Sequence, residues 1–458
     1  MFSKNIMFWI RCFSYCCLLL TLSACTSNSV FMPYPARALQ YQQALSQAQI
    51  DSAIKSSSKQ LKGKDALLAH LEQGRLYQLA GNYALSEQQF KQALQQFDDL
   101  DQRATLSLSS GLEQSSALVS NDNLIPYQGN LFERIFAHQF QAFNYIAQGD
   151  KSAALVEMRR AQFFQDKARD KQAPPPPSEL SNDANSTYQQ RLGSTYELAQ
   201  RVNSSTENAY SFYLAALLYE ATGQLDDAYI DYKRALSIAP NNRFVQQDVA
   251  RLATRLQRTD ELKRFNLKPL TANLPANTGT VVVLYEEGFV PAKEEIFLPF
   301  PWPQSWYVLA FPYYKQAWQA TEPLSFSLNH QSLDSQLLAD TQSLAAYALK
   351  EQIPSLLVRQ TLRAQTKHKL QQEANDKGGA VLGLLVSAYN ILSENADLRS
   401  WLTLPRSCQV ARIQLSAGQY PLTLSPTLNT SITVNPQQIT LVRVVKTNNH
   451  VYVASWPL

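Results

Sequence analysis

Apolar and small residues follow a helical period over residues 208–242, and Gly223 divides this stretch into two short segments. Ala228 and Ala235 are small at positions where two helices would have to approach closely. Pro240 would end the second helix. The pattern therefore predicts a pair of antiparallel helices that stacks on similar pairs and forms a groove, which is typical of a binding scaffold.

This pattern occurs three times, at residues 67–100, 135–168 and 209–242. Its length and key positions are those of the tetratricopeptide repeat, a helical hairpin of about 34 residues. Ser86 stands where alanine is usual, and Met158 stands where an aromatic residue is usual. Because three units suffice for a small solenoid, the sequence predicts a tetratricopeptide-like array.

The predicted solenoid extends over residues 39–261 with two interruptions. The stretch 101–134 departs from the repeat pattern and predicts a helix from Asp101 to Val119, an irregular loop, and a helix that starts near Asn130. The second interruption, residues 173–186, is rich in proline and predicts a stiff spacer.

Residues 262–279 have the composition of a linker, and residues 280–458 show the alternation that is typical of strands. The predicted strands are 281–285, 295–299, 307–311, 324–328, 410–415, 420–424, 430–434, 439–445 and 451–455. Short strands in this number predict a β-sandwich, here with a helical insertion at residues 337–395. The predicted fold class is α+β, an N-terminal all-α tetratricopeptide-like solenoid followed by a β-sandwich-like domain.

Two stretches of the β-rich part are unusually apolar. Residues 380–392 are too short to span a bilayer, so they predict either a buried helix or a contact with lipid or a partner. Residues 297–318 are rich in aromatic residues and proline. They predict either core and strand edge or, where exposed, an interaction patch.

The first residues have the pattern of a secretory signal, with Lys4 and Arg11 before an apolar run over residues 12–22. The following Leu-Ser-Ala-Cys resembles the lipoprotein cleavage motif, which implies a signal peptide over residues 1–24 and acylation of Cys25. Residues 25–38 would then be a lipidated tether. The residue after the cysteine, Thr26, implies the outer membrane by the same rule. The alternative is an ordinary cleaved signal.

Composition excludes several classes of function. The 458 residues carry a net charge of +4 without a basic stripe, so we expect no nucleic-acid partner. The five histidines lack metal spacing, and we expect no metal and no cofactor. Beyond the first 25 residues the only cysteine is Cys408, which indicates a buried small side chain more than a nucleophile.

We find no motif of a known catalytic site, so the sequence predicts no catalytic residues and no enzyme. The exception to weigh is a group of carboxylates, because paired carboxylates can hydrolyse glycosides. The group consists of Glu286, Glu287, Glu294 and Glu295. Solvent-facing residues beside a hairpin are the simpler interpretation, and a cell-wall-active enzyme is the less favoured alternative.

Residues that could contact a partner lie in the loop 120–130 and on the second predicted helix of the repeat at residues 135–168. Asn and Asp favour turns, and the loop sits where the groove would open. The candidate binding residues are Asn121, Asp122, Tyr127, Arg159 and Arg160. The alternative is a capped turn between helices, with the two arginines on a solvated face or in structural ion pairs.

Four segments together resemble an uncharacterised family of proteobacterial envelope lipoproteins: the cleavage motif and residues 121–161, 281–301 and 396–420. The resemblance implies a periplasmic protein, anchored in the outer membrane through Cys25. The cleavage motif and the three repeats together predict an interaction scaffold in envelope assembly or cell-wall maintenance, which binds a protein or peptide in its groove. The alternative is a component of an envelope export or surface-assembly complex, in which residues 380–392 would contact lipid or a neighbouring subunit.

Overall fold

The computed structural model describes residues 32–110, 123, 125–169, 190–270, 275–302, 305–360, 362–363, 365–366, 395–425 and 428–458. The predictions for Cys25, Asn121, Asp122, the break at 173–186 and the run at 380–392 lie outside these residues. In the described part, every helix is too short or too polar to cross a membrane.

Helices form the first half of the chain. They are α1 (Tyr34–Ser46), α2 (Ile50–Ser57), α3 (Ala66–Leu79), α4 (Tyr83–Ser110), α5 (Leu131–Ala147), α6 (Lys151–Arg169), α7 (Gly193–Ala199), α8 (Ala209–Ala221), α9 (Leu225–Ile238) and α10 (Arg243–Arg255). Short 3₁₀ turns follow at Ser58–Gln60 and Thr259–Phe265. A further helix, α11, begins at residue 341, runs to 360 and continues at 362–363 and 365–366.

The three predicted repeats are the hairpins α3–α4, α5–α6 and α8–α9, and their turns are alike. Gly81, Gly149 and Gly223 have φ angles of 77°, 80° and 77°, a left-handed conformation that glycine adopts without a steric penalty. In each turn, the N–H of the residue after the glycine donates to the carbonyl five positions earlier, at 2.8–2.9 Å. This is the Schellman arrangement, so the predicted periodicity corresponds to real repeated geometry.

The β-rich part contains three sheets. The strands are β1 (Thr278–Glu287), β2 (Glu294–Trp302), β3 (Ser305–Tyr313), β4 (Ser325–Leu328), β5 (Gln331–Asp334), β6 (Gln336–Asp340), β7 (Ser407–Ser416), β8 (Gly418–Ser425), β9 (Leu428–Val434), β10 (Ile439–Lys446) and β11 (Val451–Pro457). The five-stranded sheet has the order β11-β10-β1-β7-β6, the four-stranded sheet the order β5-β4-β8-β9, and β2 and β3 pair as a hairpin.

The five-stranded sheet lies against the helices. Its central strand β1 is parallel to β10 and antiparallel to β7. The register places Leu284 beside both Arg443 and Val410, so these three side chains lie on the same face of the sheet. Nearly all of β1 and β10 is buried, and the buried side chains of β9 belong to the same core.

The α+β class is therefore as predicted, with helices first and sheets after them. Each predicted strand is present, but β5 and β6 were not predicted. Strand β6 corrects the start of the helical insertion at 337, because residues 336–340 pair with β7 and the helix begins only at 341. The register of a sheet edge outweighs the helical pattern of these few residues.

Two boundaries in the helical part also differ from the prediction. Helix α1 begins at Tyr34, inside the stretch 25–38 that was expected to be a tether. The reason is packing, since Tyr34 is buried and its hydroxyl donates to Glu72 at 2.7 Å. The helix predicted from Asp101 is instead the continuation of α4, which runs unbroken from residue 83 to residue 110.

Candidate functional site: the inner side of the helical array

The first helix of each repeat faces inward, and the space it borders is occupied by the five-stranded sheet. Trp456 of β11 lies between Tyr83 and Phe143, with ring centroids 5.9 and 6.4 Å away. Tyr452, also on β11, donates its hydroxyl to the carbonyl of Leu45 at 2.6 Å. The groove that the sequence predicts for a partner therefore holds part of the same chain.

A buried ionic cluster joins the sheet to the first and third repeats. Glu286 on β1 accepts from Arg443 at 2.7 and 3.0 Å and from Arg75 at 2.5 Å. Tyr210 donates to the same carboxylate at 3.1 Å, and Gln78 accepts from Arg443 at 2.7 Å. Burial opposes ionisation of Glu286, but the two arginines outweigh it and lower its pKa. The cluster forms only when folding brings the strand residues Glu286 and Arg443 against Arg75 of α3.

A second cluster joins β7 to the third repeat and to α10. Arg412 lies 2.8 Å from Asp248 and 3.5 Å from Glu220. Arg251 pairs with the same two carboxylates at 3.0 and 2.7 Å, and Tyr213 donates to Asp248 at 2.7 Å. Burial opposes ionisation of Glu220, yet the two arginines lower its pKa to about 2. Two clusters of paired charges thus hold the sheet against the helices.

The rest of the inner side is occupied by residues 395–405, a segment without regular secondary structure that we call the strap. Its central residue, Trp401, is fully buried. The indole lies 5.8 Å from the ring of Phe90 and 5.6 Å from the ring of Phe140, edge-on to the latter. An aromatic residue in such a pocket is the usual anchor of a bound peptide.

Two buried carboxylates hold the backbone of the strap. Glu133 accepts from the N–H of Trp401 at 2.7 Å, and Glu72 accepts from the N–H of Leu402 at 3.0 Å. The hydroxyl of Thr403 also donates to Glu72. Burial raises the pKa of Glu72 to about 7, although these donors act in the opposite direction. The helices therefore recognise the strap through its main chain as well as through Trp401.

Charged contacts fix the beginning of the strap. Arg399 donates to Asp65 at 2.9 Å and to the carbonyl of Ile125 at 3.0 Å. It also pairs with its neighbour Asp397 at 2.8 Å. Asn123 donates its side-chain amide to the carbonyl of Ala396 at 3.1 Å. The described end of the loop 120–130 therefore contacts the strap.

Of the five candidate binding residues the structure describes Tyr127, Arg159 and Arg160, and these three do not form one cluster. Tyr127 is buried, and its hydroxyl donates to Glu133, the carboxylate that accepts from the N–H of Trp401. Arg159 and Arg160 are exposed on α6. Arg159 donates to the hydroxyl of Tyr219 at 2.9 Å, whereas Arg160 pairs with Glu157 at 3.0 Å. The two arginines thus have other partners than Tyr127.

The carboxylates weighed for catalysis have separate partners. Glu286 belongs to the ionic cluster, and Glu287 pairs with Arg406. Glu294 lies 3.5 Å from Lys315, and Glu295 accepts from the backbone N–H of residue 396.

Burial raises the pKa of the Cys408 thiol well above its usual value. Among the described residues, no group of His, Cys, Asp and Glu could hold a metal ion. That the protein is not an enzyme stays a prediction.

Sequence reasoning missed the strap and its carboxylates. Glu133 could be recognised as the third residue of a capping box with Asn130, which the structure contains. Nothing local indicated that Glu133 also binds Trp401, a residue 268 positions away. The signal that was available is the run Trp401 to Leu404, which is apolar without a helical or strand period.

No protein-family model and no curated protein matches the chain. Two crystal structures of MamA are similar to it, each with 15% sequence identity and a TM-score of 0.28. The first covers 52% of this chain and 92% of its own, and the second covers 50% and 87%. A similarity at this TM-score carries no argument, so the repeats rest on their own geometry.

Proposed function

We propose that the protein is a protein-interaction scaffold of the bacterial envelope. The observation that supports it is the array of three helical hairpins with the same turn geometry. The first two hairpins bind a non-helical segment of the chain through Glu72, Glu133 and a pocket for Trp401. Arrays of this kind present surfaces rather than reacting groups. The strap is in effect a ligand supplied by the chain itself.

Because the sheet and the strap fill the inner side, we place the partner on the outer side of α6 and α9. Three large apolar side chains are exposed there: Val156 (44%), Phe163 (58%) and Ile230 (46%). The two helices are tied beside these residues, since Gln162 donates to Asp231. We call Val156, Phe163 and Ile230 the outer patch. Exposed aromatic and aliphatic residues of this kind are common anchors of protein interfaces.

Site-specific photo-crosslinking tests the outer patch. A photoreactive phenylalanine analogue is placed at Phe163, at Ile230 or, as a control, at Leu39 on α1, which is 50% exposed. We expect one partner band from both patch positions and none from the control. Phe163→Ser with Ile230→Ser should abolish capture of the same partner from detergent-solubilised membranes. The same bands from all three positions would contradict the proposal.

We also propose that acyl chains on Cys25 hold the protein in the outer membrane, facing the periplasm, where it serves envelope assembly or cell-wall maintenance. The support is the cleavage motif before Cys25 and the residue that follows it. Metabolic labelling with a palmitate analogue should mark the wild type and not Cys25→Ala. Label that persists in the variant would exclude this anchor, while leaving the scaffold proposal to the crosslinking result.

A further inference from the structure

Strand β11 forms one edge of the five-stranded sheet, and this edge is open to solvent. In the part of the chain that the structure describes, β11 pairs with β10 alone. All seven residues of β11 are partly or fully exposed, whereas β10 is buried from Ile439 to Val445. The edge of a sheet carries a row of N–H and C=O groups that another strand can bind, so natural proteins usually protect it.

Hydrogen bonds at the two ends of β11 show which of its main-chain groups point outward. The N–H of Thr447 donates to the carbonyl of His450 at 2.8 Å, and the N–H of Leu458 donates to the carbonyl of Ile439 at 2.8 Å. In an antiparallel pair, residues whose groups point to the partner strand alternate with residues whose groups point away. The register is regular between these ends, so the even-numbered residues bond to β10 and the odd-numbered ones face outward.

The outward row consists of the N–H and C=O groups of Val451, Val453 and Ser455, and of the C=O group of Pro457. Within the described part of the chain, no backbone hydrogen bond joins these groups to another element. A regular row of alternating donors and acceptors is matched by the main chain of another extended segment. The chemistry of this edge therefore calls for a strand as its occupant.

The opposite edge of the same sheet is protected. Strand β6 has only five residues. The carbonyls of Gln336 and Leu337 in this strand accept from the side-chain amide of Asn242 at 3.3 and 2.9 Å. Short length and a side chain that occupies the acceptors both hinder the addition of a strand. Among the described residues, β11 has no comparable cover.

The sequence of β11, Val-Tyr-Val-Ala-Ser-Trp-Pro, also lacks the charged residues that commonly protect a free edge. Its helix-facing side is already in use, since Trp456 packs on Tyr83 and Tyr452 donates to the carbonyl of Leu45. These contacts hold the strand in place and leave its outward row for a partner.

We infer that β11 is a dimerisation edge, which pairs antiparallel with β11 of a second copy about a two-fold axis at Val453 and joins two five-stranded sheets into one. In this register Val453 opposes Val453 of the partner subunit, and Val451 opposes Ser455 of the partner subunit. Each outward N–H then meets an outward C=O.

A second copy fits this edge because residues near a two-fold axis face their own copies. A charged residue at such a position would be repelled by its equivalent, and β11 has none. Two valines opposite each other are a favourable cross-strand pair. The dimer does not depend on the outer patch or on acylation of Cys25. Its consequence, that the scaffold presents the outer patch twice, does rest on the proposed function.

Sedimentation velocity tests the dimer with the polypeptide from Thr26 onward, which contains every described residue. At about 100 μM, a homodimer with a dissociation constant of about 10 μM is mostly assembled, so we expect the wild type to be a dimer. Val453→Pro removes the N–H at the axis and should raise the dissociation constant at least about tenfold. The subunit tolerates this change because that N–H takes no part in pairing with β10. The matched control Val453→Thr keeps the N–H and should stay dimeric.

Disulfide crosslinking gives a second measurement that does not use proline. Facing Cα atoms of a hydrogen-bonded pair lie about 5.5 Å apart, which suits a disulfide. Val453→Cys should therefore form a covalent dimer on mild oxidation. The control is Ser455→Cys, because the two copies of this residue lie about 14 Å apart along the strands. Cys408 is buried and should not contribute.

A wild type that is monomeric at about 100 μM would overturn the inference and leave the edge to a strand of another protein. A dimer that persists in folded Val453→Pro would overturn it as well, as would crosslinking of Ser455→Cys in preference to Val453→Cys. Phe163→Ser with Ile230→Ser should remain dimeric. Loss of the dimer in that variant would place the second copy on the outer patch and contradict pairing through β11.

Discussion

The inner and outer sides of the helical array differ in how far their ion pairs are exposed to water. On the inner side, the side chains of Arg75, Arg443 and Glu286 are 1%, 4% and 0% exposed, and they neutralise one another. On the outer side, the pair of Arg258 and Asp226 stays 38% and 64% exposed. A buried charge depends on its partners, whereas an exposed one is solvated by water. The inner side is therefore part of the core, and the outer side is free for a partner.

The largest effect that we expect is from Glu286→Gln. This change leaves Arg75 and Arg443 charged and buried without a carboxylate, which should lower the free energy of unfolding by about 3–5 kcal/mol. The matched control is Asp226→Asn in the exposed pair, for which we expect less than about 1 kcal/mol. Urea denaturation of both variants measures the difference. Equal effects of the two changes would show that the inner side is not desolvated.

Trp401→Ala tests whether the strap belongs to the core. Removing this buried indole from the pocket of Phe90 and Phe140 should cost about 3–5 kcal/mol. If the loss is local, hydrogen exchange should rise first at the backbone N–H groups of residues 401 and 402. In the wild type these two groups donate hydrogen bonds to Glu133 and Glu72. Exchange at these two sites that stays as slow as in the wild type would contradict the role of the indole as the anchor of the strap.

A pH effect is expected from Glu72, whose pKa burial raises to about 7. Between its ordinary pKa and that value, the folded protein keeps a proton that the unfolded chain has lost. The contribution of Glu72 to the free energy of unfolding is thus highest in acid and declines as pH rises through this window. Glu72→Gln, which never ionises, should remove this decline, on the order of 2 kcal/mol. Denaturation at pH 5 and pH 8 checks it; an unchanged slope would exclude Glu72 as its source.

The smallest effect is expected on the outer side. Phe163→Ser changes a side chain that is 58% exposed, so the free energy of unfolding should change by less than about 0.5 kcal/mol. Thermal unfolding measures this, and the same substitution is part of the double variant in the capture experiment. A loss as large as that of Trp401→Ala would place Phe163 in the core and remove the contrast between the two sides.

Local features of the chain were predictable because short-range physics decides them. Gly81, Gly149 and Gly223 end the first helices of the repeats, and the structure gives all three the same left-handed turn. The alternating strands of the β-rich part were predicted for the same reason. Strands β5 and β6 were missed because they are short, and β6 forms only by pairing with β7.

The site was less predictable than the fold. Tyr127 was expected to contact a partner, but it is buried behind the strap, since its hydroxyl finds Glu133. Arg159 was expected to line the groove and lies on the exposed surface of α6. In both cases the residue type indicated a polar contact, but the partner of that contact depended on what fills the inner side of the array.

By itself the sequence determined the helical hairpins, the strands and the α+β class, because periodicity and turn residues act within a few positions along the chain. Only the tertiary structure decided that the inner side of the array is already occupied. Glu286 lies 211 positions from Arg75, and Arg399 lies 334 positions from Asp65. Charges this far apart along the chain leave no local pattern, and each is stable in the interior only because folding brings its partner to it.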